Sequence, residues 1–292
     1  YIYIIFFMMT DVVFADVVSK NPNYLKRGKI DKVHIANYLK KELRNHNYTI
    51  IKDPTGTSPF KLIENFSPRK GDCGTAGHFW RENKVKIGTG TTDCNSNRLR
   101  LEVASSGDIR IGKKAKEIWV GYYFYVPNTP NNFKDKLLQP YITQFYGTNK
   151  KGGQNRGGYA PQFSASIYNG KLSIEGVPVI DENNLKGKWH KVEFNVRYSK
   201  KDDGFFKIWV NDKLSYHYKG PTKTKKGKPY FKFGIYRSHL SKWIKKNKKS
   251  EVPAQVVYFD EVRTAKKSCK KLKLEDLGYS CEALESQKIS KI

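Results

Sequence analysis

Acidic residues are scarce in this chain. It carries 27 Asp and Glu against 55 Lys and Arg, a formal net charge of +28 over 292 residues. A field of that size attracts polyanions and speeds their capture. Nucleic acid, acidic polysaccharide and anionic membrane are therefore the favoured ligand classes, and a neutral ligand is the less expected one. Long apolar runs are also missing. Beyond the N-terminus none is long and apolar enough to cross a bilayer as a helix. Neither cysteine pair has Cys-x-x-Cys spacing, which argues against a zinc site. No internal repeat is visible. No strand shows a Glu-x-Asp-x-x-Glu-like row, so the two facing carboxylic acids of a glycoside hydrolase are not in the pattern. Basic and aromatic residues interleave, yet no nucleic-acid motif accompanies them. The lysine runs Lys223–Lys228 and Lys242–Lys249 read as solvated loops or helix ends.

What is present suits one large β domain. Hydrophobic residues make up 38% and aromatics 14%, enough for a core. The apolar stretch Tyr1–Met9, followed by Val13-Phe14-Ala15, reads as the tail of a secretory signal over residues 1–15. Residues 16–47 are expected as a helical extension. Its helix runs from Asp31 to Asn45, with Val33, Ala36, Leu39 and Leu43 on one face. The β domain is expected over 48–285 and a tail over 286–292. Export agrees with four cysteines in two local pairs, Cys73 with Cys94 and Cys269 with Cys281, both expected as disulfides in a secreted or periplasmic protein. Strands are predicted at Arg98–Ala104, Glu117–Val126, Tyr141–Tyr146, Gln162–Tyr168, Lys171–Ile174, His190–Tyr198, Phe205–Val210, Tyr230–Tyr236 and Val256–Arg263. Asn211-Asp212 marks a hairpin. Many short strands with few helices indicate a sandwich or jelly roll. The Gly-, Asn- and Lys-rich loop Gly147–Gly158 is expected beside a site.

Three strands carry residue types suited to chemistry. In Tyr230–Ser238 strict alternation sends Phe231, Phe233 and Ile235 to one face and Lys232, Gly234 and Tyr236 to the other. A strand glycine often marks close approach of a ligand to the backbone. An ammonium near a phenol favours phenolate. In Asn97–Val103, Arg98, Arg100 and Glu102 share a face. They form either an exposed ion-pair cluster or a carboxylate-binding fork with Glu102 holding an arginine. In Tyr141–Tyr146, Gln144 is either a satisfied buried amide or part of a cleft lining. His78, five residues after Cys73 and followed by Phe79 and Trp80, is read first as structural.

Taken together, Tyr230–Ser238, Val257–Arg263, Lys188-Trp189-His190 and Gly204–Asn211 resemble the polysaccharide lyases of the heparin lyase I and glucuronan lyase type. More distantly the chain is similar to jelly-roll alginate lyases, which carry an Arg–Glu strand, a Gln-centred strand and a Lys-x-Gly-x-Tyr strand. The resemblance covers roughly Asp53 to Arg263. It implies an all-β, concanavalin-like jelly roll whose concave face binds a uronic-acid-containing polysaccharide and breaks it by β-elimination. Neither nucleic acid nor membrane is an expected partner, and a monomer is expected. A noncatalytic lectin on the same fold is the alternative. The resemblance assigns Tyr236 as base or acid, Lys232 beside it, Gln144 and Arg98 to the substrate carboxylate, and Arg100, Tyr146 and Arg237 to glycan binding. Tyr146 stands where relatives often have a histidine, so His78 is the candidate for that role. No cofactor is needed for the chemistry. A structural calcium ion is implied, with Asp260 as candidate ligand; Asp260 is equally well read as capping a turn or pairing with Arg263.

Overall fold

The computed structural model describes residues 48–58, 62–68, 98–104, 117–129, 133, 138–148, 163–222, 228–238, 240–249, 252–272 and 280–288. The expected signal and helical extension over 1–47 lie outside the described residues. Among the described residues are thirteen strands: β1 (Tyr48–Lys52), β2 (Leu62–Phe66), β3 (Arg98–Ala104), β4 (Glu117–Tyr125), β5 (Tyr141–Thr148), β6 (Ser164–Tyr168), β7 (Lys171–Ile174), β8 (Val177–Ile180), β9 (Trp189–Arg197), β10 (Phe205–Val210), β11 (Lys213–Lys219), β12 (Lys228–Ser238) and β13 (Val257–Lys266). The described residues also form three short α-helices, α1 (Glu182–Leu185), α2 (Leu240–Asn247) and α3 (Cys281–Glu285). The run Lys242–Lys249 falls largely on α2, with only Trp243 buried there.

The strands form two antiparallel sheets packed as a jelly-roll sandwich. One sheet runs β1-β2-β13-β4-β9-β10-β11, the other β3-β12-β5-β6-β7-β8. Period-two alternation explains the packing. Ile118, Val120, Tyr122 and Phe124 of β4, and Val192, Phe194 and Val196 of β9, point inward to meet Phe231, Phe233 and Ile235 of β12. Aromatic rings carry much of the contact between sheets. Phe66 meets Phe233 at 5.7 Å, Phe145 meets Phe194 at 5.2 Å, and Phe233 meets Phe259 at 5.2 Å between centroids. Each such pair adds about 0.5–1.5 kcal/mol beyond area burial. The Tyr122 hydroxyl, buried among these rings, is hydrogen-bonded to Thr143 Oγ1 across the sheets at 2.7 Å.

Tight turns set the strand order at one edge. Asn211 and Asp212 both have positive φ (48° and 66°) and close β10 onto β11, with Val210 paired to Lys213. Asn169-Gly170 and Glu175-Gly176 do the same for β6–β7 and β7–β8. Two left-handed residues in a row match the right-handed twist of the strands they join. Strand β8 was not expected from sequence because Pro178 interrupts it; its place at the sheet edge tolerates the missing N–H.

The outer side of the larger sheet has its own small core. Trp119 and Trp209 stack across β9 at 5.4 Å, and Leu214, Ala265, Leu272 and Leu284 pack with them. The Cys269–Cys281 disulfide is formed and buried in this cluster; Cys73 and Cys94 lie outside the described residues. Gln287, placed by sequence in a tail, belongs to the packed unit. Its side chain accepts from Leu214 N at 2.7 Å and donates to Asp212 O at 2.6 Å.

Beneath the indoles, Glu193 sits opposite Trp209 and is fully buried. Lys191 Nζ is 3.3 Å from its Oε1, yet neither carboxyl oxygen makes a well-formed hydrogen bond. Burial pushes the Glu193 carboxyl up to about 8; the Lys191 charge opposes the shift and Asp212 adds to it. An unfolded glutamate titrates near ~4.3, so the folded state holds this proton more tightly. The associated stability is complete below that pH and is lost as pH rises through about 8. Melting temperature is therefore expected to fall between roughly pH 5 and roughly pH 9, and Glu193→Gln to flatten that fall. An equally steep fall in the variant would assign the pH dependence elsewhere.

Candidate active site

The outer face of the smaller sheet collects the polar residues singled out from sequence. Pairing of β12 with β3 sets Gly234 opposite Glu102, Tyr236 opposite Arg100 and Ser238 opposite Arg98. Pairing of β12 with β5 sets Tyr230 opposite Tyr146 and Lys232 opposite Gln144. Opposed residues share a face. Register thus brings the positions of Arg98, Arg100, Gln144, Tyr146, Lys232 and Tyr236 onto one surface built from three neighbouring strands. The side chains of Arg98, Arg100 and Tyr146, and all of His78, lie outside what the structure describes. Of the loop Gly147–Gly158, only Gly147 and Thr148 are described, as the end of β5.

Lys232 and Tyr236 share one face of β12. Their backbone positions are four steps apart, roughly 13 Å along β12. Lys232 Nζ lies 3.4 Å from Glu102 Oε2, with both side chains almost wholly buried. This pair ties β12 to β3. Removing one partner of a buried ion pair leaves the other charge uncompensated, which is strongly destabilising.

Gly234 is there for the backbone. Its φ is +128°, and a Cβ would lie 2.3 Å from Leu101 O and 2.9 Å from both Glu102 Cα and a Phe66 ring carbon. The glycine lets β3 and the Phe66 ring come close. The same place is irregular toward β5, where the register shifts between Phe233 and Tyr236. Bulges of this kind re-aim side chains and occur next to active sites.

Tyr236 is half-buried and stacks on Tyr141, 6.0 Å between centroids at 28°. Tyr141 was missed from sequence. Burial raises its phenol, and the Glu175 charge adds to the effect. Glu175 sits farther along the face, where its Oε1 accepts from Ser164 N at 2.6 Å and Ser164 Oγ at 2.9 Å; Ser164 is opposite Gln144.

Arg237 is a correction. It follows the parity of Phe233 and Ile235, is 1% exposed, and points away from the outer face. Its Nη1 donates to Pro253 O at 2.9 Å and Gln255 Oε1 at 3.2 Å. It holds the segment before β13 and does not bind glycan. The described histidines belong to the other sheet: His190 Nε2 is 3.0 Å from Leu185 O, and His217 lies on β11.

Asp260 does not pair with Arg263, which binds Glu261 and Leu272 O instead. Asp260 accepts from Ser58 Oγ and from Glu261 N. Burial first, then the charges of Glu261 and Glu64 against those two hydrogen bonds, push its carboxyl up to about 8. Calcium takes six to eight oxygens. Among the described residues no group of three acidic, histidine or cysteine side chains gathers as a metal cage.

A family model described as polysaccharide lyase matches residues 25–263. No curated protein matches the sequence. Among solved structures, an endo-β-1,4-glucuronan lyase from the fungus Trichoderma reesei is similar at 16% identity and TM-score 0.49, over 75% of this chain and 86% of that one. An alginate lyase from Chlorella virus is similar at 12% identity and TM-score 0.47, over 86% of this chain and all of the other. A β-glucanase catalytic domain from Podospora anserina is similar at 12% identity and TM-score 0.40, over 76% and 80%.

Gly234→Ala is expected to lower unfolding free energy by about 2 kcal/mol or more, because β3 backbone blocks the added methyl. Urea denaturation measures this. An unchanged midpoint would mean that β3 moves away without loss.

Proposed function

This chain belongs to the polysaccharide lyase family, and from that premise we propose that it cleaves a uronic-acid-containing acidic polysaccharide by β-elimination, with Tyr236 as the base. The observation that carries the reading is the placement of Tyr236. It is a half-buried phenol on the outer sheet face, opposite the position of Arg100 and on the same surface as Gln144. A C5 proton is poorly acidic while its neighbouring carboxylate keeps full charge. Donors that hold this carboxylate stabilise the enolate-like transition state. Arg98, Arg100 and Gln144 are the donors in this proposal. A phenol of ordinary pKa ~10 needs a cationic setting to accept a proton near neutrality, and Arg100 is the residue in register to supply it. Lys232 and Glu102 act by fixing β3 against β12. Export from the cytoplasm is part of the proposal and is supported by the Cys269–Cys281 bridge.

The test is absorbance of unsaturated uronide ends on incubation with a panel of acidic glycans. On the glycan that responds, Tyr236→Phe is expected to keep binding and fold while turnover falls by at least ~10²-fold. Arg98→Ala is expected to weaken binding as well as turnover, since it holds the carboxylate in both ground and transition states. A folded Tyr236→Phe protein with near-normal turnover would remove the phenol from the chemistry. Binding without any unsaturated product would favour the lectin instead.

The net charge of +28 also predicts that affinity for the glycan drops steeply as salt rises. Titration at low and high ionic strength measures it. Equal affinities would show that the charge plays no part in capture.

A further inference from the structure

We propose that Tyr141 is the general acid of this elimination, giving its phenolic proton to the departing O4 while Tyr236 takes the C5 proton, both from the same side of the sugar. The inference rests on the reading of Tyr236 as base. Alternation alone would send Tyr141 to the core with Thr143 and Phe145, which are buried there. Two irregularities prevent this. The β12–β5 register shifts between Phe233 and Tyr236, and the β5–β6 register shifts between Tyr141 and Thr143. Ile142 turns into the core instead, 1% exposed. Tyr141 is set opposite Tyr236 on one side and Ser166 on the other. Adjacent bulges that reverse the facing of one residue fit a need to re-aim it. The two rings stack with their centroids 6.0 Å apart, and in this proposal one sugar lies over both phenols.

Their surroundings divide the labour. Burial and the Glu175 charge keep Tyr141 protonated, as a donor must be. Tyr236 faces the position of Arg100. The step balances. The C5–H pair becomes the C4=C5 double bond as the C4–O4 bond breaks. Tyr236 phenolate gains the C5 proton, and O4 leaves as a hydroxyl with the proton from Tyr141. Return of a proton from Tyr236 to Tyr141 through solvent resets the site.

Delivery from one side suits uronates whose C5 hydrogen and O4 are cis. Glucuronate and mannuronate meet this condition. Iduronate, guluronate and galacturonate do not.

The experiment compares wild type, Tyr141→Phe and Tyr236→Phe on polyglucuronate, polymannuronate, polyguluronate and polygalacturonate. A second substrate is a short oligomer of the preferred uronate whose C4 leaving group is nitrophenolate, which departs without a proton. Tyr141→Phe is expected to lose at least ~10²-fold in kcat on the polymer and less than ~3-fold on the nitrophenolate substrate. Tyr236→Phe is expected to lose turnover on both. Equal losses by Tyr141→Phe on the two substrates would assign Tyr141 a merely structural role and overturn the proposal, as would no loss on the polymer. Preference of the wild type for polyguluronate or polygalacturonate would overturn same-side delivery. Retained turnover by Tyr236→Phe, or a wild type inactive on every uronan, would sink the underlying reading, and the proposal with it.

Discussion

The close approach of β3 to β12 at Gly234 is the contact on which the outer face depends. It is possible only without a Cβ, since a methyl would collide with Leu101 O and Glu102 Cα. Several features follow from it. Glu102 comes within ion-pair reach of Lys232. Arg100 falls into register with Tyr236. The strand departs from regularity toward β5, and Tyr236 meets Tyr141. A buried ion pair contributes little net stability in itself, but here it joins two strands that carry the proposed substrate-binding positions.

Much of the smaller sheet was legible because one rule, period-two alternation, governs it. The split of β12 into an aromatic inner face and a Lys-Gly-Tyr outer face follows from sequence alone and is found in the structure. Arg237 could have been assigned inward by the same rule, since it shares parity with Phe233 and Ile235. The residues that escaped are those for which alternation breaks or pairing register decides. Tyr141 reads as a core residue until both bulges are known. The Lys232–Glu102 pair needs the offset between β3 and β12, which no local pattern contains. Strands β1 and β2 were not singled out from sequence, although β-branched Thr49, Ile50 and Ile51 favour a strand and Asp53, Pro54 and Gly56 mark the turn after it.

The two sheets use their outer sides differently. The larger sheet covers Trp119 and Trp209 with the disulfide-bridged C-terminal segment and keeps Glu193 beneath them. The smaller sheet presents an organised polar surface at β3, β12 and β5, and the same stacked rings that fill the interior hold that surface in shape from behind. Phe231 and Phe233, stacked at 5.8 Å, are the inner neighbours of Lys232 and Gly234 along β12. Substitutions among these inner rings therefore act on the polar surface through the backbone they share.

The hairpin edge bears on solubility. Strands β8 and β11 end their sheets in the described topology, and an open strand edge is a template for pairing with another chain. Pro178 removes a donor from β8. Strand β11 begins and ends with Lys213 and Lys219, both exposed, and its register with β10 is broken between Ile208 and Trp209. A proline, flanking like charges and a bulge are three separate obstacles to edge-to-edge growth. The β-rich chain thus carries these obstacles at two of the four strands that end its sheets among the described residues, β8 and β11.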